Sequence, residues 1–417
     1  MSAKSFAVLS LLAMLVHMAI AGCTSELRNF MYLTGQHPAM PVHLVEQQCI
    51  THLALAFMPS GVFNRDSQSD VNGSPLDWPL FRSIEFTRPL VNAETKLLVA
   101  IGGWGDTAGF AEGALTEGSR QRFAGNVAAM VAATGADGVD IDWEYPGGNG
   151  EDYKQVPNAE RAWETAAYPL LLAAIRRALG PSKILSAAVP GRPEDMLAFT
   201  ASTVPAIMRS VDFLNVMTYD LMNRRDTVTA HHSSVQNSLA AVDAYMAAGC
   251  DAQHINFGLA FYVRYYKTEH NDCAERRLQN GSAIGCRTLL MEDPETGADL
   301  GRAGAFSWHD SVPGYLESSF DKALAQGTFD KESGGYYYWD EDEDLWWSFD
   351  TVDAIANEKI PRILQERKLG GVFAWGLGED GPKFQHFSAM SRAWKKVKDD
   401  GRGASNHVAS STARDEL

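Results

Sequence analysis

Basic residues are scarce in this chain. Lys and Arg number 36 against 52 Asp and Glu, a net charge of −16 over 417 residues. Such a surface repels phosphate backbones, so no nucleic acid is expected as a partner. Long apolar runs are scarcer still. Only Phe6–Ile20 reads as one, and it is too short and wrongly flanked to span a bilayer, so no membrane insertion is expected. No glycine-rich fingerprint follows the first strand, which argues against a dinucleotide-binding doubly wound sheet. There is no Ser/Thr/Pro-rich linker and no Cys-rich module. Metal-ligand spacing is also lacking. Side chains of the adjacent His231 and His232 diverge, with no third ligand in evidence. The acidic run Asp340–Asp344 has the wrong spacing for calcium and reads as a solvated turn. No metal and no cofactor are expected.

What is present at the two ends concerns processing. Lys4, the apolar Phe6–Ile20 and the small residues Ala19-Ile20-Ala21 read as a secretory signal peptide over residues 1–21. Ile20-Ala21-Gly22-Cys23 also resembles a bacterial lipoprotein box, but Arg414-Asp415-Glu416-Leu417 argues against that as a variant of the endoplasmic-reticulum retrieval signal. The expected location is the secretory pathway: the reticulum lumen if the tail is read, otherwise outside the cell. That compartment permits disulfides. Of five Cys, Cys273 and Cys286 flank a turn, and Cys23 and Cys49 bracket the first strand and helix. Cys250 is then left as a buried thiol. Asn72 and Asn280 each open an Asn-Gly-Ser sequon in loop-like sequence.

Eight short β-rich runs recur: Asn29–Leu33, His52–Phe57, Lys96–Ile101, Asp137–Trp143, Ile184–Val189, Asp212–Tyr219, His254–Phe261 and Gly370–Trp375. Helical patterns such as Ser119–Thr134 and Glu160–Leu179 lie between them. Strand alternating with helix predicts an α/β chain, and eight such units close into a (β/α)8 TIM barrel. The interval from His254 to Gly370 is far longer than one crossover needs. It predicts a small α+β insertion domain at 266–346 between the seventh and eighth strands, with the barrel at 25–265 and 347–396. The polar residues 397–417 read as a disordered tail.

One stretch stands out, "ADGVDIDWEYPGG" from Ala136 to Gly148. Side chains alternate along a strand, so Asp140, Asp142 and Glu144 share a face and Val139, Ile141 and Trp143 take the other. In a barrel strand the acidic face points inward and climbs to the C-terminal rim, where barrel active sites lie. Stacked carboxylates are a poor structural device but a good way to raise the pKa of one acid.

This motif resembles the signature of glycoside hydrolase family 18, the chitinases. Lys96–Trp104, Met217-Thr218-Tyr219-Asp220, Gly258–Arg264 and Gly371–Trp375 resemble the family's third, sixth, seventh and eighth strand motifs. The Cys23/Cys49 placement resembles a bridge in some members. The resemblance implies a retaining, endo-acting, substrate-assisted hydrolase of β-1,4-N-acetylglucosamine linkages in chitin or N-acetylglucosamine oligosaccharides, an endochitinase-like enzyme; a monomer is expected. It assigns Glu144 as general acid, Asp142 as the holder of the 2-acetamido group, Asp140 as the proton-sharing partner beneath, and Tyr219 as a hydrogen bond to the acetamido oxygen. Trp375 would floor the distorted sugar. Tyr32, Phe57, Gly102, Gly103, Trp104, Tyr145, Met217, Asp220, Tyr262 and Arg264 would line the same rim.

Two departures are visible. Ala100 stands where many members have Ser, and Leu221–Arg225 replaces a shorter aromatic-Gly version. Arg224 and Arg225 are there either to contact a glycan or as solvated charges. Two competing readings share these residues. One is an endo-β-N-acetylglucosaminidase acting on N-glycans; the other is an inactive chitin-binding lectin, which the presence of Glu144 disfavours.

Overall fold

The computed structural model describes residues 27–41, 44–66 and 77–412, with side chains to residue 401. Eight parallel strands close into a barrel in the order β1-β13-β7-β6-β5-β4-β3-β2. They are β1 (Arg28–Thr34), β2 (His52–Met58), β3 (Lys96–Gly102), β4 (Gly138–Asp142), β5 (Ile184–Pro190), β6 (Phe213–Met217), β7 (Ile255–Ala260) and β13 (Gly371–Trp375). Each falls within two residues of its expected run. The helix at Glu117–Thr134 starts where Thr116 and Ser119 form a reciprocal capping box, and it stops at Gly135 in the left-handed region.

Strand alternation sorts the barrel side chains into two sets. Val99, Ile101, Val139, Ile141, Leu185 and Val216 point outward into the large core under the helices. Ala54, Leu98, Ala100, Ala188, Phe213 and Phe373 point into the barrel. At the barrel's N-terminal end, the Arg28 guanidinium sits 4.6 Å above the Phe213 ring. The His52 ring stacks on Phe30 at 5.9 Å and meets Phe213 edge-on at 5.3 Å.

A second, antiparallel sheet has the order β10-β11-β12-β8-β9. It comprises β8 (Tyr262–Lys267), β9 (Ala303–Ser307), β10 (Thr328–Asp330), β11 (Gly335–Asp340) and β12 (Leu345–Phe349). It therefore extends beyond the expected 266–346 at both ends. The chain leaves β7 at Ala260 and enters β8 at Tyr262 with a single residue, Phe261, between them. No linker marks the joint, which is why composition misplaces it. Cys273 and Cys286 form a disulfide in this region.

Two further expectations are corrected. The final helix, Gln385–Thr412, runs through most of the segment read as a disordered tail. Its start is anchored by buried Trp394, with Lys398 5.0 Å above the indole and a Lys395–Asp399 ion pair one turn along. The Asp340–Asp344 turn is not wholly solvated: Asp340 is buried and accepts from Lys322 at 3.1 Å. The signal segment, Cys23, Asn72 and Arg414–Leu417 lie outside the described residues. Cys49 and Cys250 are buried, and Asn280 is exposed at the end of its helix. Among the described residues no helix is long and apolar enough to cross a membrane.

Candidate active site

The site is built on the C-terminal end of β4. Val139, Ile141 and Trp143 anchor the strand outward, Trp143 stacking on Phe110 at 5.4 Å. Asp140 and Asp142 are thereby turned inward, both buried, and Glu144 follows at the rim, only partly buried. Gly102 and Gly103 have φ of 108° and 96°. A Cβ on Gly102 would come 2.2 Å from the Asp142 carbonyl, and one on Gly103 would come 2.6 Å from the Phe57 ring. These two positions thus need glycine on both conformational and steric grounds. In return the Gly103 amide donates to the Asp142 carbonyl at 2.9 Å.

Asp140 is held by three hydrogen bonds. Its carboxylate accepts from Tyr32 Oη at 2.7 Å, Ser186 Oγ at 2.6 Å and Asn215 Nδ2 at 3.2 Å. Asn215 accepts in turn from Asn256 at 2.8 Å, and Asn256 from Arg28 Nε at 2.8 Å. A polar column thus descends from the rim to the barrel floor. Burial pushes the Asp140 carboxyl up to about 6, and the three hydrogen bonds hold it from rising further. Ala100 and Ser186 are the register partners of Asp140 on its two sides. The hydroxyl absent from β3 is therefore supplied from β5.

Asp142 is the opposite case. Its Oδ1 is buried and has no hydrogen-bond partner among the described residues. Burial raises its carboxyl well above the usual range, with Glu144 and then Asp140 adding repulsion. Burial likewise pushes Glu144 up to about 7; the Tyr145 hydroxyl opposes this, and Asp220 and Asp195 reinforce it. Burial, more than the stacked charges the sequence suggested, is the main cause at all three positions.

The other expected residues gather around this face, with one displaced. Trp375 is partly buried, with Phe57 stacked on it at 5.4 Å and Tyr32 tilted against it at 5.5 Å. Tyr32 itself is 1% exposed. It lies a layer below the rim because its hydroxyl is committed to Asp140, and is a support for the site. Tyr219 is buried between Tyr262 and Phe373, at 6.1 and 5.9 Å. Met217 is buried alongside in the same inner set. Asp220, at a φ of 54°, accepts from Arg264 Nε at 2.5 Å and Tyr262 Oη at 2.6 Å. Burial works against its charge, but Arg264 and His232 outweigh it and hold the carboxyl well below the usual range. Trp104, half exposed, meets Tyr145 edge-on at 6.4 Å.

Ser186, Asn215 and Asn256 were not anticipated. Each is a single polar residue inside an otherwise apolar strand run, and that pattern was the available signal. Arg224 and Arg225 are neither wholly solvated nor loose. Arg224 Nε lies 3.1 Å from Glu292, and the Arg225 guanidinium lies 3.9 Å over the Tyr153 ring. His231 and His232 diverge, toward Asp330 and Asp220 respectively.

Comparison with known proteins places the chain among relatives. Chitotriosidase-1 of Mus musculus is 26% identical over 353 residues, covering 81% of this chain and 68% of that protein. Endochitinase 1 of Metarhizium anisopliae is 27% identical over 299 residues, covering 69% of this chain and 62% of that protein. In fold, a chitinase from Rhizomucor miehei superposes with a TM-score of 0.66 at 19% identity, over 88% of this chain and 99% of that one. A chitinase mutant from Cycas revoluta, solved in complex with (GlcNAc)4, does so with a TM-score of 0.63 at 19% identity and the same coverage. Residues 28–380 match the profile of Glycosyl hydrolases family 18. By that match the chain belongs to family 18 and is a glycoside hydrolase.

Proposed function

We propose that this chain hydrolyses β-1,4 linkages between N-acetylglucosamine residues of chitin or its oligosaccharides, with retention, using the substrate's own acetamido group as nucleophile. The observation that carries this reading is a contrast within one strand. Asp140 accepts three hydrogen bonds, while two residues on, Asp142 keeps a buried Oδ1 without a partner among the described residues, beside a glutamic acid whose carboxyl burial pushes up to about 7. An acid that remains protonated near neutrality is fit to protonate a glycosidic oxygen. An orphaned carboxylate oxygen in a buried wall is fit to accept an amide N–H.

In this mechanism Glu144 gives its proton to the glycosidic oxygen. The acetamido carbonyl oxygen attacks C1, the C1–O bond breaks, and the leaving sugar departs as an alcohol. Asp142 accepts the acetamido N–H and stabilises the positive charge of the oxazolinium ring, while Tyr219 hydrogen-bonds the acetamido oxygen and fixes its approach. Water then attacks C1 from the side the leaving group vacated, passing a proton to Glu144. Two inversions give net retention, the substrate-assisted exception to the two-carboxylate scheme. Trp375, braced by Phe57 and Tyr32, supports the sugar ring from below. Activity is expected to be highest at acidic to near-neutral pH and to fall as Glu144 deprotonates.

The test is product release from an N-acetylglucosamine pentamer, with Glu144→Gln as control. Cleavage by the wild type and its loss in the variant are expected. A folded wild type that leaves the pentamer intact would transfer attention to N-glycans, and after them to a binding role.

A further inference from the structure

The barrel order places β13 and β4 diametrically opposite, with three strands between them on either side. Under the reading above, on which this inference rests, the cleaved sugar lies over Trp375 and the acid stands at Glu144. The leaving group must then depart across the rim beyond β4, where the loops following β3 to β6 stand. Because the broken bond is at C1 of the retained sugar, that leaving group is the reducing-end portion of the chain.

Those loops are tied to one another and to the inserted segment between β8 and β9. Asn149, after β4, donates to the Glu194 carbonyl after β5 at 2.6 Å. Arg225, after β6, returns two hydrogen bonds of 3.1 Å to the carbonyls of Asn149 and Gly150. Its guanidinium covers the Tyr153 ring and lies 5.9 Å from that of Trp104, which follows β3. Tyr153 then donates to Glu292 in the inserted segment, where Arg224 also ends. Two more bonds of 2.8 Å run from Lys154 to the Pro294 carbonyl and from Gln155 to the Thr296 carbonyl. Glu292 is only 7% exposed, so its two partners engage it as a charge-assisted contact sheltered from solvent rather than a surface ion pair. The result is an unbroken belt from Trp104 to residues 292–296 of the inserted segment, ahead of β9.

We propose that this belt is an end wall. It bounds the leaving-group side of the cleft, so the site releases one or two sugars from the reducing end of a chain instead of cutting within it. Trp104 is the stacking surface inside the wall, and Arg225 is a positioning residue that holds the wall and the indole in register. The unusual Leu221–Arg225 loop is then what sets product length. The same wall disfavours a glycan whose leaving sugar carries a polypeptide.

The experiment is digestion of an N-acetylglucosamine hexamer in heavy-oxygen water, with products read by mass spectrometry. Only the fragment retaining the cleaved C1 acquires the heavy atom. The wild type is expected to give unlabelled mono- and disaccharide with labelled pentamer and tetramer. Arg225→Ala and, separately, Tyr153→Ala are expected to raise the unlabelled trimer at least threefold. A wild type yielding mainly unlabelled trimer or longer overturns the wall while leaving the hydrolase reading intact. A folded wild type that cleaves no oligomer overturns both. The wild-type pattern decides the matter even where a variant fails to fold.

Discussion

The barrel interior and the second sheet are packed on opposite principles. Inside the barrel five alanines, Ala54, Ala56, Ala100, Ala188 and Ala260, open space around the polar column of Asp140, Asn215 and Asn256, among larger side chains such as Phe30, Leu98, Phe213 and Phe373. The second sheet is filled with aromatic mass: Trp339, Trp346, Trp347, Tyr266, Phe306 and Phe349. There each indole N–H is satisfied, Trp346 by the Ala230 carbonyl, Trp347 by Ser319 and Trp339 by Thr268. Alanines leave room for carboxylates and amides to face one another, at the expense of apolar burial. The barrel recovers that burial on its outward face, against the helices. The second sheet carries none of the proposed acid–base groups and is free to pack densely.

The contrast breaks most sharply at Glu144. Glu144→Gln is expected to lower kcat by roughly 10²–10⁴-fold, the usual worth of a general acid; equal kcat values in a steady-state assay would remove the assigned role. In the second sheet the expectation reverses. Trp346→Ala should cost ~3–5 kcal/mol of stability, read by urea denaturation, and spare the pH profile of whatever enzyme remains folded. Ser186→Ala tests the polar column. Losing a bond to a buried carboxylate costs about 1.5–3 kcal/mol, and Asp140, no longer held down by that hydroxyl, should rise further above about 6. The acidic limb of the pH–rate profile should move to higher pH; an unmoved limb would mean that Ser186 only fills space.

The smallest effect is a linkage. Glu144 is near 4.5 when unfolded and about 7 in the native protein, so the native state holds the extra proton between those values. Its contribution to stability is complete below pH 4.5, is lost as pH rises through 7, and is constant above. The Tm advantage of Glu144→Gln over wild type should therefore grow across that window and then level off. A constant difference from acid to neutral pH would contradict the raised carboxyl.

Much of the barrel was legible because period-two alternation and strand–helix succession are local properties. All eight strands could be placed from them, and so could the inward face of Asp140 and Asp142. What was not legible depends on register. Nothing local says that Ser186 stands beside Asp140, or that Asn215 and Asn256 stack beneath it, since those contacts join strands 46 and 41 residues apart. Tyr32 was expected at the rim for the same reason: its strand-end position is visible in the sequence, but the partner that pulls its hydroxyl downward is not. The joint at Phe261 escaped notice because a strand that passes directly from one sheet to another changes neither composition nor pattern. The helix past residue 397 escaped because its composition is that of a solvated tail, while the anchor, Trp394, lies before it.

The plug of Arg28, His52, Phe30 and Phe213 at the lower mouth makes the barrel a cup with one opening. Burial, with Arg28 and then Lys96, pushes the His52 imidazole down to about 3, so the plug stays uncharged at that ring. On the function proposed above, a sugar seated over Trp375 would lie between bulk solvent and the buried carboxyls of Asp140 and Asp142, so the pH met by the empty cleft, as well as the pH during turnover, would bear on whether that sugar is cut.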